Sequence, residues 1–255
     1  MITVKMAESQ PQSVASTTQH TTSPPEQYTS KVCLDHIIVL LPYEQLLDLP
    51  AWLTSNFTIT PGGQHADKKT ENKLILFFDG SYIELIAFID DDPKHKEGHW
   101  WGEKQPGIID YALTTDEDAH IHWEAMQARL ANFDARLLKY DYDSPVAGGR
   151  QRPDGVQVKW NVTFPKRVQR GELPFFCHDV TPRDRRVPFS EEACTHPCRA
   201  YGVKSLTVTP SIAGSNTGEF SSVYSTVLDE AREDGNKFGL ETVRSVPVLA
   251  TMTRG

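Results

Sequence analysis

Leu34-Asp35-His36-Ile37-Ile38-Val39-Leu40-Leu41 is an apolar run of strand length with one histidine set into it. A strand gains nothing from burying an imidazole or a carboxylate unless each has a partner, because desolvating a lone charge is costly. The natural partner is Leu74 to Ile89, two apolar runs joined by Asp79-Gly80. The second run, Tyr82-Ile83-Glu84-Leu85-Ile86-Ala87-Phe88, carries a single acid. Asp-Gly between apolar runs is a hairpin signal. Two readings of His36 and Glu84 stand side by side. They point at one metal ion, or they form a hydrogen bond inside a core.

Working outward, Met1 to Ser30 is rich in Ser, Thr, Gln and Pro, so residues 1–30 read as a disordered tail. Downstream of the opening strand, Pro42 to Leu49 reads as a short helix with Pro in its first turn, and Pro61-Gly62-Gly63 as a turn. The first unit, about residues 32–90, is therefore strand, helix, then two or three strands. A polar loop follows, carrying Trp100 and Trp101, which read either as a wall over a pocket or as a plug beneath the loop. A second unit of the same kind occupies about residues 107–180. It has a strand from Gly107 to Thr114, a helix with Trp123, Met126 and Leu130 as its stripe, a Pro153-Asp154-Gly155 turn, and apolar strands to Val180. The repetition reads as an internal duplication. A further strand, Val203 to Thr209, completes the main domain at residues 31–210, and residues 211–255 read as a helix and strand extension.

A chain of 255 residues can bury a sizeable core. Its net charge of −8 argues against a nucleic-acid or anionic-membrane surface. No run approaches the roughly 18 apolar residues of a membrane span. The first thirty residues lack an apolar core of the secretory kind, contain no Arg and include Glu8 and Glu26, which argues against export or organelle import. Cys33, Cys177, Cys194 and Cys198 are too sparse for a disulfide framework and suit a reducing, cytoplasmic setting. Cys194-Thr195-His196-Pro197-Cys198 offers only three crowded ligands, and no second cluster completes a tetrahedral zinc site.

Five stretches, in order, resemble one family. They are Leu34-Asp35-His36, Gly80-Ser81-Tyr82-Ile83-Glu84-Leu85, Arg152-Pro153-Asp154-Gly155 with Trp160, Leu173-Pro174-Phe175-Phe176, and His196-Pro197. Together they look like the glyoxalase-like domain of the vicinal oxygen chelate (VOC) superfamily, over about Val32 to Thr209. The resemblance implies an α+β fold of paired βαβββ modules curled around a divalent metal, with ligands from the first and last strands of the modules. It also implies a small-molecule substrate and, among partners, a homodimer. His36 and Glu84 match ligand positions, and His178 stands at the end of the second unit's last strand, where the family is often acidic. The second unit's counterpart of His36 is Tyr111, or Asp110 if the register slips, so a four-ligand site of the lactoylglutathione lyase kind is not evident. Nothing in the chain matches glutathione binding.

With His36, Glu84 and His178 as ligands, the set is two imidazoles and a carboxylate, leaving open positions on Fe, Zn, Mn, Co or Mg. A substrate with two neighbouring oxygens would fill them, and the metal would act as a Lewis acid. As the bland alternative, His178 caps a strand end. Tyr111 is the candidate catalytic donor to a developing oxyanion, or else packed core. Arg150 and Arg152 are candidates to hold a substrate carboxylate, or else solvated turn residues. Trp100, Trp101 and His196 complete the candidate substrate contacts. The expected activity is that of a lyase, an isomerase or a dioxygenase. The alternative is a non-catalytic protein of the same fold that sequesters a small molecule.

Overall fold

The computed structural model describes residues 1–8, 31–133, 140–209, 217–229, 237–244 and 246–253; most of the expected tail, residues 9–30, lies outside them. Its start is a strand, β1 (Ile2–Glu8), which corrects the reading of residues 1–30 as disordered throughout. Ile2, Val4 and Met6 alternate along it and pack on the core, which rewards ordering it.

The first module is β2 (Cys33–Leu40), α1 (Tyr43–Leu47), α2 (Ala51–Thr54), β3 (Thr60–His65), β4 (Thr70–Leu76) and β5 (Tyr82–Phe88). A linker containing the short helix α3 (Pro93–Lys96) leads to the second. That module is β6 (Gly107–Thr114), α4 (Ala119–Ala131), the two-residue β7 (Asp141–Tyr142), β8 (Val146–Gln151), β9 (Gln157–Thr163), the two-residue β10 (Pro165–Lys166) and β11 (Phe175–Asp179). Then come α5 (Arg183–Arg186), α6 (Glu191–Cys194), β12 (Ala200–Val208), α7 (Thr217–Leu228), β13 (Lys237–Thr242) and β14 (Pro247–Met252). Among the described residues no helix is long and apolar enough to cross a membrane.

The two modules share one strand order. β2-β5-β4-β3 is matched by β6-β11-β9-β8, with the first and last strand of each module parallel. The modules join at both ends, β2 against β6 and β3 against β8, so eight strands close into a barrel. The fold is the expected α+β pair of βαβββ modules, closed into a barrel. Beyond it, β12, α7, β13 and β14 repeat the module with one strand missing, β14 lying parallel to β12. β1 pairs antiparallel with β12 as β6 does with β2. β12, expected inside the main domain, is thus hydrogen-bonded into the sheet of the extension.

β2 carries apolar residues on both sides because both sides are covered. Ile38 and Leu40 face the barrel interior with Ile86, Phe88, Phe164 and Phe175. Leu34 and Ile37 face outward into the core beneath α4 and α7, with Met126, Phe220 and Tyr224. Each such side chain contributes about 1.5–3 kcal/mol on burial. β2 also changes neighbours along its length. Cys33 and Leu34 pair with β13, and His36 to Leu40 pair with β5. Between them the register against β6 slips at Asp35, a bulge. α4 starts at Asp118, whose carboxylate accepts from the His120 and Ile121 N–H groups.

Candidate active site

The barrel interior opens as a cavity of about 760 Å³, mouth included. Its polar end is built on β2, β3, β4, β5 and β8. His36 and Glu84 come from the two parallel strands β2 and β5, and both point inward. The His36 Nε2 lies 3.5 Å from Glu84 Oε2, and the His65 Nε2 lies 3.4 Å from Glu84 Oε1. His65 ends β3, where the far strands of the two modules meet, directly opposite Arg150 of β8. Asn72 of β4 donates its amide to Glu84 Oε1, while its own carbonyl oxygen accepts from Gly63 N and from Arg150 Nη1 at 3.1 Å each. A Cβ at Gly62 would strike the Asn72 side chain, so this glycine, expected in a turn but found within β3, is what lets Asn72 reach inward.

The other nitrogen of each imidazole is already engaged. His36 Nδ1 is 2.9 Å from Asp35 Oδ2, and His65 Nδ1 is 2.7 Å from Thr70 Oγ1. Neighbours on a regular strand face opposite ways, and the bulge at Asp35 is what lets two consecutive side chains meet. Asp35 is fully buried and is held by Arg183 and Arg186 of α5, which also grip Asp179. Arg186 Nη1 donates to the Tyr82 hydroxyl at 2.8 Å, and the Tyr82 ring stacks on His36 at 4.5 Å.

These contacts set the charges. Burial pushes the Asp35 carboxyl up, but Arg183, Arg186 and His36 outweigh it and hold it well below the usual range. Burial likewise opposes ionisation of Glu84, yet His36 and His65 hold it well below the usual value. Burial lowers His36, and Asp35 and Glu84 more than reverse that, so its pKa is raised.

The rest of the cavity is aromatic. Trp100, Trp101, Trp160, Phe164 and Phe175 line it. Trp100 is 40% exposed at the mouth, whereas Trp101 is buried and donates its indole N–H to Asp110 Oδ2 at 2.8 Å. Both tryptophans line the cavity, Trp100 at its mouth and Trp101 packed into the core beneath the loop. Trp160 lies flat on β8 because Gly148 beneath it has no Cβ to clash with the ring.

Not every candidate comes to this place. His178 does not join His36 and Glu84. Alternation on β11 sends Phe175 and Cys177 into the cavity and Phe176 and His178 outward, where His178 packs on His122 of α4 and meets Thr115 Oγ1 at 3.2 Å. Tyr111 likewise faces outward, fully buried in the core with Tyr142 and Tyr224, so it reaches no substrate in the cavity. Arg152 is partly exposed and paired with Asp154 at 2.8 Å. His196 accepts from Thr58 N and donates to the Leu76 carbonyl, a strap between loop and sheet outside the cavity. Arg150 does line the cavity. The contributions not anticipated are His65, Asn72, Asp35 and Arg186. Only Asp35 had a signal, as the acid beside His36.

The sequence profile of the glyoxalase-like domain matches residues 34–228. The chain belongs to that family. As a glyoxalase-like domain it shares its fold with a hypothetical protein from Staphylococcus aureus at 16% identity, covering 87% of this chain and 86% of the other with a TM-score of 0.61. Methylmalonyl-CoA epimerase from Mycobacterium tuberculosis is similar at 13% identity over 62% of this chain and 96% of its own, with a TM-score of 0.33. A glyoxalase I mutant from Zea mays is similar at 9% identity over 89% and 71%, with a TM-score of 0.35. No curated protein matches this glyoxalase-like domain.

The resemblance read in the sequence implies a divalent metal. Among the described residues no group of three or more His, Cys, Asp or Glu side chains stands as a preassembled metal site. The second module supplies no donor at the matching places: Ala112 lies opposite His36, and on β11 the inward residues are Phe175 and Cys177, whose thiol burial pushes up. The first module alone has suitable chemistry. His36 and His65 each have Nδ1 engaged and Nε2 turned to one buried carboxylate, and a neighbour on the far nitrogen is how a ligating imidazole is oriented. In donor type the residues present fit a cation.

Proposed function

We propose that the barrel cavity is the active site of a metal-dependent enzyme, a lyase, isomerase or dioxygenase, acting on a small molecule with two neighbouring oxygens. His36, His65 and Glu84 would hold the divalent cation, with His65 in the role first expected of His178. The observation that carries the reading is that two Nε2 atoms stand 3.5 and 3.4 Å from the two oxygens of the same buried carboxylate. Donors that share one cation at about 2.0–2.2 Å stand roughly 3 Å apart. Two imidazoles and a carboxylate suit iron, zinc, manganese or cobalt better than magnesium.

The bound cation would supply Lewis acidity toward the substrate oxygens. Asp35 fixes His36 with its proton on Nδ1 and Nε2 facing the cavity. Asn72 keeps Glu84 from turning away. Trp100, Trp101 and Phe164 exclude water and offer flat faces to an apolar substrate body.

Metal analysis of purified protein tests this reading. A stoichiometric transition metal is expected in the wild type, lost in His36→Ala and in Glu84→Gln, and retained in His178→Ala. Wild-type protein that takes up no iron, zinc, manganese or cobalt after chelation and reloading refutes it. The second reading is a metal-free binder, favoured by Ala112 and Cys177 in the second module. It predicts undiminished ligand binding by His36→Ala.

A further inference from the structure

At the polar end of the cavity most charges have an opposite. Arg183 and Arg186 face Asp35 and Asp179. The two oxygens of Glu84 are taken up by the Nε2 atoms of His36 and His65. Arg150 is left over. It is 3% exposed, and a guanidinium does not shed its proton to escape burial. Its hydrogen bonds go to uncharged acceptors, Nη1 to Asn72 Oδ1 at 3.1 Å and Nη2 to the Arg186 carbonyl at 2.7 Å. Its Nε–H has no acceptor among the described residues. Glu84 reaches it only through Asn72, whose amide donates to the carboxylate and accepts from the arginine.

A buried cation without a charged partner is unfavourable unless something pairs with it. Arg150 has no easy way out to water. Its backbone sits in the ladder between β3 and β9, opposite His65 on one side and Val158 on the other. The surface shared with it is the cavity, whose aromatic walls include Trp100, Trp101, Trp160 and Phe164 and whose other acid, Asp67, faces His99. A cation bound at Glu84 would make the deficit of negative charge larger, so the demand for an anion holds with or without metal.

We propose that the ligand of this cavity is an anion: a small carboxylic acid with a flat apolar body, its carboxylate paired with Arg150 and its body against the tryptophans. This rests on the cavity being the ligand site, and it names the class of that ligand. The planar fork of arginine matches a carboxylate, and the two donate and accept without a proton changing hands.

Calorimetric titration of the full-length protein with 2-hydroxybenzoate and with 2-hydroxybenzamide tests the proposal, since the pair differs in charge and hardly in shape. The wild type is expected to bind the acid at least about tenfold tighter than the amide. Arg150→Gln should bring the two affinities together. Arg150→Lys keeps the charge and loses the fork, so it should keep part of the preference; it decides the matter if Arg150→Gln fails to fold. A wild type that binds both alike, or neither, overturns the proposal, as does either variant with an undiminished preference for the acid. Repeating the titration in a chelator separates this from the metal reading. If the wild type proves metal-free, that reading fails, while the preference for the acid would persist.

Discussion

Asp35 does two jobs that a residue next to it in sequence ordinarily has no means of doing. It orients His36 through Nδ1 and it neutralises two arginines that enter from α5. Both depend on the bulge that turns its side chain to the side of His36. Asp35→Asn would leave Arg183 and Arg186 sharing one fewer buried carboxylate. A loss of about 3–5 kcal/mol in guanidinium-induced unfolding is expected. A loss below about 1 kcal/mol would show that Asp179 suffices for both arginines. His36 and Glu84 were legible at this scale because a titratable side chain in an apolar run demands a partner. Arg186 was not, since its run of charges, Arg183 to Arg186, has the appearance of an exposed loop, and only packing against β2 buries it.

Among the elements, α4 and β11 trap a pair of histidines away from the cavity. The His122 and His178 rings are 5.0 Å apart, and three of their four nitrogens have no hydrogen-bond partner among the described residues. Burial lowers His178 to about 4, and burial together with His178 lowers His122 to about 3. In the unfolded chain both return to about 6.5. The unfolded state therefore binds more protons between these values, and stability falls as pH drops from about 6.5 toward 4. Above about 6.5 the two histidines carry no such penalty. Replacing His122 by Phe removes one of the two groups. The difference in unfolding free energy between wild type and variant should shift by roughly 2–3 kcal/mol in favour of the variant from pH 7 to pH 4. Parallel stability–pH curves would show that His122 takes up no proton on unfolding. The same outward face of the sheet took Tyr111 from the site. Period-2 alternation divides β6 and β11 into two faces, but both faces are apolar here, one inside the barrel and one beneath α4 and α7. The pattern by itself does not say which is which.

For the whole molecule, the barrel is continued by an incomplete third module whose first strand is flanked by the N-terminal β1. Asp79 ties the two parts together. Its Oδ1 accepts from the backbone N–H and hydroxyl of Ser81 in the first module's hairpin, and its Oδ2 accepts from Val203 N of β12. Deleting residues 1–8 should expose the β12 edge and leave the barrel intact. Hydrogen exchange is expected to quicken about tenfold across 200–208, about 1.4 kcal/mol, with 33–40 unchanged. Equal exchange in both proteins would mean that β1 adds nothing to the sheet.

The sequence by itself determined the repeated module and the inward pair His36 and Glu84, because hydrophobic period and the cost of a lone buried charge are local properties of the chain. Closure of the barrel decided the rest. It brought His65 and Arg150 face to face where β3 meets β8, and it turned His178 and Tyr111 outward beneath two helices. Which side of a strand becomes the inside depends on what covers the other side, and that is known only once distant segments have packed.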